Sequence, residues 1–233
     1  MSTGPDYTGV DNLEMMEVAQ KYLAHLRGRV TYTLDAPGTQ RVLDFGAGSG
    51  TMARALRDEG YRVSCLEPDP LLLGMLTDSG FECGDDLATL RGADGFDAAY
   101  SMNVLEHIDD DVAALRGIFD ALKPGGRLTI YVPAFPILFT AMDEKVGHVR
   151  RYKKPGLTAA VSAAGFTVDS CQYVDSLGFL AALVYKAIGN RDGDLDERAL
   201  SLYDSYAFPV SLAIDHVTKS LAGKNLLVYA RRP

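Results

Sequence analysis

Short apolar runs alternate with helix-periodic stretches from 41 to 131, and this alternation predicts a parallel sheet with helices on both faces. Val42 and Leu43 open the first run, Val63, Cys65 and Leu66 fill the second, and Phe96, Ala98, Ala99 and Tyr100 mark a later one. Strands buried on both faces read as near-continuous apolar segments of this kind. An open sheet so built carries its site at the carboxyl ends of its strands. Ahead of it, Leu13, Met16, Ala19, Tyr22, Leu23 and Leu26 recur at helical spacing and predict a helix with one apolar face. Beyond it, Gly165-Phe166-Thr167-Val168 reads as a strand, 177–188 as a buried or interface helix, and 190–197 as a charged, turn-rich linker. A helical region over 199–221, interrupted at Pro209, precedes a last strand at Asn225–Arg231.

Chemistry enters at Val42-Leu43-Asp44-Phe45-Gly46-Ala47-Gly48-Ser49-Gly50, where a strand runs through an acid into a glycine-rich turn. Glycines there permit positive φ and let a ligand approach bare backbone, and the helix predicted over 51–59 aims its free N–H groups at the turn. Asp44 attracts a cation and repels a pyrophosphate, so the pocket suits a positively charged nucleoside better than a dinucleotide. The third position of the dinucleotide fingerprint is also wrong, being Thr51.

Residues 42–50 resemble the first motif of class I S-adenosylmethionine-dependent methyltransferases, and further segments agree in order and spacing over roughly 40–175. Arg62-Val63-Ser64-Cys65-Leu66-Glu67 is a second strand ending in an acid, Gly84-Asp85-Asp86-Leu87 falls where the family carries an acid at the adenine amine, and 96–108 resembles the fourth strand and its following helix. Leu122-Lys123-Pro124-Gly125-Gly126 stands as the turn before the fifth strand. The resemblance implies an α/β fold: a Rossmann-like seven-stranded methyltransferase sheet, mostly parallel, with an antiparallel last strand beside the fifth and helices on both faces. It implies S-adenosylmethionine as cofactor and S-adenosylhomocysteine as product. Asp44, Gly46, Ala47, Gly48, Glu67, Pro68, Asp85, Asp86 and Asn103 are the cofactor positions it points to, with Glu67 on the ribose hydroxyls and Asp85, or Asp86 one register away, at adenine. The domain occupies 40–233, behind an N-terminal helical lid at 1–39 whose Tyr22 would meet the acceptor; a helical insertion runs over 176–222.

The loop 133–157 leaves the fifth strand at the mouth of this pocket, where loops usually define the acceptor. Its run Asp143-x-x-x-Gly147-His148-x-Arg150-Arg151-Tyr152 resembles a subgroup associated with sugar, polysaccharide and lipid-linked substrates. A hydroxyl acceptor must lose a proton during attack, and His148, with a reference pKa of about 6.5, is the expected general base. Asp143 would orient its ring and Tyr152 would hydrogen-bond at the same mouth. One of Arg150 and Arg151 would clamp an acceptor anion while the other pairs with a surface acid. Metal binding is the rival assignment: Glu106, His107 and His148 resemble the carboxylate and histidine set of small-RNA 2′-O-methyltransferases, although Asn103 stands where that family has its first acid. No metal is expected on balance; Mg²⁺ is the ion this rival would bring.

Twenty-three basic against thirty-one acidic residues leave a formal charge of −8, which opposes nucleic-acid binding and favours a small acceptor. The fourth-strand end, Ser101-Met102-Asn103-Val104, lacks the Asn/Asp-Pro-Pro-aromatic signature of DNA amino methylation. Cys65, Cys83 and Cys171 form no C-x-x-C pair and read as reduced, buried thiols. The first residues carry neither a basic region nor an apolar run, and no segment reaches membrane-spanning length, so cytoplasm is the expected compartment. The expected activity is O-methylation of a sugar or polyhydroxylated metabolite, with a lipid or isoprenoid intermediate as second acceptor class. A non-catalytic cofactor-binding subunit is the reading from another class, and homodimerisation through the insertion is a further expectation.

Overall fold

A computed structural model describes residues 19–34, 40–92, 94–188 and 197–233. Seven strands form one sheet: β1 (Arg41–Phe45), β2 (Arg62–Leu66), β3 (Glu82–Gly84), β4 (Phe96–Met102), β5 (Leu122–Pro133), β6 (Thr167–Val174) and β7 (Asn225–Arg231), in the order β3-β2-β1-β4-β5-β7-β6. β7 lies antiparallel to both β5 and β6, and the other pairs are parallel. The expected Rossmann-like methyltransferase sheet, antiparallel last strand included, is what forms. Helices α1 (Gln20–Thr31), α2 (Thr51–Asp58), α3 (Pro70–Asp78), α4 (Leu87–Arg91) and α5 (Asp111–Ala121) are followed by α6 (Ala141–Lys145) and α7 (Lys154–Ala163). The insertion contributes α8 (Ser176–Ile188), α9 (Glu197–Leu202) and α10 (Phe208–Thr218).

The apolar runs of β1 and β4 bury as their composition demands: Val42, Leu43, Phe96, Ala98 and Ala99 are all enclosed. Two expectations shift in detail. Lys123–Gly126 belongs to β5 rather than to a preceding turn, because the Gly125 N–H donates to the Arg232 carbonyl (2.9 Å) and the Arg232 N–H to that of Gly126 (2.8 Å). Pro209 interrupts no helix; it sits in the first turn of α10, where a missing N–H costs nothing, and the irregularity is the π-helical turn Tyr203–Ala207 before it.

That turn fastens α1. Asp204, buried, accepts the backbone N–H groups of Lys21 (3.0 Å) and Tyr22 (2.8 Å), which belong to the first turn of α1. These are donors that a helix leaves without internal partners. The Tyr22 and His25 rings meet Phe208 edge-on, each at 5.5 Å between centroids, while Leu26 packs on Tyr131, Val174 and Leu227. Leu13 and Met16, part of the predicted helix, lie outside the described residues. Asp215 of α10 in turn receives the Asp175 and Ser176 N–H groups at the start of α8. Asp204 therefore joins α1 to the segment 197–218, and Asp215 joins α10 to the start of α8. Helix α8 is less enclosed than its sequence implies, with Leu180 and Val184 more than half exposed. No helix among the described residues is long and apolar enough to cross a membrane.

Asp204→Ala is expected to lower stability by about 1–2 kcal/mol, the worth of a lost cap, and to speed amide exchange in α1 ahead of the sheet. Chemical denaturation with hydrogen-exchange mass spectrometry reads both, and unchanged exchange in α1 would refute the clamp.

Candidate active site

β1 ends at a turn that no other residue type would fill. Gly46, Gly48 and Gly50 have φ of +81°, +56° and +81°. A Cβ on Gly46 would sit 2.5 Å from a Val104 methyl, and one on Gly50 2.6 Å from a methyl of Leu76. The Gly46 and Ala47 N–H groups donate to the Leu66 carbonyl at 2.9 and 3.0 Å, which draws the turn over the end of β2. Glu67 closes it from the other side, accepting from the Gly48 N–H (2.7 Å) and the Asp69 N–H (3.0 Å). Burial raises the Glu67 carboxyl above its ordinary value despite those two bonds. A carboxylate has about four acceptor positions, so this pinned group retains capacity for hydroxyl donors.

Asp44 faces Tyr100 across the β1–β4 register, and the Tyr100 hydroxyl donates to it at 2.7 Å. Burial pushes the Asp44 carboxyl up to about 7; the Tyr100 bond opposes that rise and the charge of Glu67 adds to it. Tyr100 was legible only as an apolar strand residue, since nothing local marks the partner of Asp44. At the end of β4, Asn103 adopts φ +55° and donates its N–H to the Tyr131 carbonyl (2.7 Å). The Tyr22 hydroxyl comes beside the Asn103 side chain, and burial raises it to about 12. Between β3 and α4 the two expected adenine residues separate: Asp86 caps α4 by accepting from the Ala88 N–H (3.0 Å), while Asp85 is exposed next to it. Pro68 lies exposed directly after Glu67.

The acceptor loop is organised by Asp143, which is 1% exposed. One carboxylate oxygen meets His148 Nδ1 at 2.7 Å and accepts from Arg151 Nε at 2.8 Å; the other accepts from Arg151 Nη2 (3.0 Å) and the Thr140 N–H (2.9 Å). Burial alone would raise this carboxyl, but His148, Arg151 and the Thr140 amide outweigh it and hold the group at about 2. Asp143 thus meets the His148 ring directly. Both arginines pair with acids, where one of the two was expected to. Arg151 commits its fork to Asp143, and Arg150 pairs with Asp111 (3.2 Å) and donates to the Asp109 carbonyl (2.7 Å). Tyr152 is buried, with its hydroxyl donating to Asp111 (2.8 Å) and the Leu105 carbonyl (3.1 Å). It serves there as a strut between the loop and the turn after β4. Arg150 and Tyr152 both reach Asp111, a relation invisible forty residues away in sequence, whereas the partner of Arg151 lies eight residues off in the same loop.

The same turn carries Glu106 and His107, and their ligand atoms and those of His148 all lie within 4.8 Å of one another. His148 Nε2 faces a Glu106 oxygen at 3.8 Å, and the two imidazoles meet edge-on at 4.7 Å. Glu106 is fully buried and neither carboxylate oxygen has a hydrogen-bond partner, so burial pushes it up to about 8. Burial and the neighbouring His148 bring His107 down to about 4.

A family model described as a methyltransferase domain matches residues 15–171. The chain belongs to this family of S-adenosylmethionine-dependent methyltransferases. Curated relatives include ubiquinone biosynthesis O-methyltransferases from Xanthomonas axonopodis pv. citri (33% identical over 102 residues) and Xylella fastidiosa (35% over 100 residues). Those matches span 40% and 39% of this chain and 42% and 40% of the relatives' own lengths. Among solved structures, a methyltransferase bound to the Haloferax volcanii Trm112 activator superposes with TM-score 0.67 at 19% identity, covering 100% of both chains. A phosphoethanolamine N-methyltransferase from Haemonchus contortus, in complex with S-adenosylmethionine, gives 0.60 at 15% identity, covering 100% of this chain and 61% of that one. At such identities the structures share the fold alone.

The residues on hand fit the cofactor: side-chain-free turn positions, the Glu67 carboxylate at the tip of β2, and an acid behind the turn for a cationic ligand. A cation beside Asp44 favours its ionised form. Cofactor affinity is therefore expected to rise with pH toward about 7, by no more than about tenfold per unit, and then level off. In cofactor-free protein the sign is opposite: stability from protonated Asp44 is full below the ordinary carboxyl value and is lost as pH rises through about 7. Calorimetric titration of Asp44→Asn should flatten the binding slope, and an unaltered slope assigns it to another group. Glu67→Ala should weaken binding by about 1–3 kcal/mol, since it loses a charged acceptor and releases Gly48; wild-type affinity would remove Glu67 from the site.

Proposed function

We propose that this protein transfers a methyl group from S-adenosylmethionine to a hydroxyl oxygen of a small acceptor that is apolar and aromatic rather than a sugar. The observation that carries the oxygen is the Asp143–His148 pair beside buried Glu106, a polar centre at the end of β4 able to manage a hydroxyl proton. The relatives named O-methyltransferases support the same atom. The sugar acceptor was implied by the subgroup resemblance of the loop, and its Arg150, Arg151 and Tyr152 are engaged with Asp109, Asp111, Asp143 and Leu105. Aromatic rings recur in α1, in the segment after β5 and in the insertion: Tyr22 against Tyr131 and Phe208, and Phe135 stacked on Tyr173 at 4.7 Å with Phe179 beside it at 5.0 Å. Such rings suit a flat, apolar acceptor. Ubiquinone biosynthesis, named for the relatives, is in keeping with that class.

The cofactor supplies an activated methyl on a positively charged sulfur. This chain's residues align the acceptor, keep water away from the centre and take its proton. His148 is the simplest proton acceptor, with Asp143 holding Nδ1 so that the Nε2 lone pair is left for the proton. Asp85 at adenine and Tyr22 toward the acceptor complete the assignment.

Incubation with labelled cofactor and a panel of alkyl-substituted phenols, sugars and phospho-sugars should label the phenols, with product mass showing one added methyl on oxygen. His148→Ala should lower that turnover by about 10²–10⁴-fold and leave cofactor affinity near wild type. Label on sugars alone, or on nitrogen, defeats the proposal.

A further inference from the structure

We infer that Glu106, His107 and His148 form a binding site for one divalent transition-metal ion of the Zn²⁺ type. Their ligand atoms fall within 4.8 Å of one another. Ligands at about 2.0–2.2 Å from such an ion stand roughly 3–3.5 Å apart, so side-chain rotation of about 1 Å closes the set. A second observation points the same way. Glu106 is 0% exposed, its two oxygens have no hydrogen-bond partner, and His148 Nε2 at 3.8 Å is beyond bonding distance. A buried carboxylate without donors is costly, and a cation is the partner that would satisfy it.

The imidazoles are held as metal ligands usually are. Asp143 accepts from His148 Nδ1 at 2.7 Å, which leaves the Nε2 lone pair toward Glu106. The His107 ring bonds the Gly147 carbonyl in the same manner. A carboxylate or carbonyl behind each ligating histidine fixes its tautomer and raises its basicity. Gly147 has φ +80°, a conformation that brings this carbonyl to His107 and delivers His148 one residue later. Two nitrogens and one carboxylate suit Zn²⁺, Co²⁺ or Mn²⁺; Mg²⁺ prefers an all-oxygen shell, so the donor set argues against the Mg²⁺ of the rival assignment. Three protein ligands leave a position for water or for an acceptor oxygen. With the ion present, His148 acts as ligand rather than base, and this deepens the proposed function without depending on it.

The test uses the whole chain, stripped with a chelator and without methyl donor or acceptor, titrated with Co²⁺ and Zn²⁺. One equivalent of Co²⁺ should bind with visible d–d absorption, be displaced by Zn²⁺ and ignore Mg²⁺. Glu106→Gln and His107→Gln should each weaken Zn²⁺ by more than about 100-fold while circular dichroism and S-adenosylhomocysteine binding stay normal. If either variant fails to fold, His148→Gln gives the same reading. Absence of stoichiometric binding in folded wild type overturns the site, as does binding that survives these substitutions or shows the thiolate bands of the cysteines. Failure of the acceptor panel leaves this titration unaffected, because no acceptor takes part in it.

Discussion

Removing a carboxylate from water costs several kcal/mol unless bonded partners replace the solvent, and several are buried around one end of this sheet. Asp44, Glu67, Glu106 and Asp143 are each at most 7% exposed. Their partners differ in a graded way. Asp143 is surrounded by donors and stays ionised; Glu67 holds two amides; Asp44 has one hydroxyl; Glu106 has none. The fully satisfied acid is architectural, fixing the loop that carries His148. The incompletely satisfied ones are where a ligand gains most by arriving.

This gradient explains which parts of the site could be read in the sequence. The glycine turn and Asp44 were legible because their constraint is local: only residues lacking a Cβ fit against Val104 and Leu76 at those φ angles. The parallel sheet followed from a repeated pattern of apolar runs, and the antiparallel last strand beside the fifth from the family resemblance. Tyr100, by contrast, reaches Asp44 through sheet register, and the partners of Arg150, Arg151 and Tyr152 come from the turn after β4 or from α6. Composition placed polar groups in the acceptor loop correctly but gave no means of telling which were already paired. Asp86 illustrates the limit on a smaller scale, since capping α4 and binding adenine both ask for an acid just before a helix.

The pairing also changes the character of the mouth. If Arg150 and Arg151 had been free, the loop would have offered cations to an anionic or heavily hydroxylated acceptor. With both neutralised, what remains near Asn103 and Tyr131 is Tyr22, and the ring of Phe208 behind it. These rings come from α1 and the insertion, which are joined by Asp204 rather than by chain continuity. Under the proposed function, acceptor choice falls to the two segments outside the common core, while the core keeps cofactor and proton chemistry.

That division has a physical basis in where each segment obtains its stability. β1, β4 and β5 are fixed by sheet hydrogen bonds and continuous burial, so groups at their ends hold position whatever occupies the mouth. The α1–insertion unit rests on capped helix starts and a few ring contacts, and it carries much of the exposed apolar surface: Leu180, Val184, Leu202, Tyr206, Val210, Val217 and Leu221. Elements held by fewer buried contacts open at lower free energy than the core. Under the proposed function, an acceptor that enters beside α1 meets the less firmly held unit, while the glycine turn is drawn onto the end of β2 by the Gly46 and Ala47 amides.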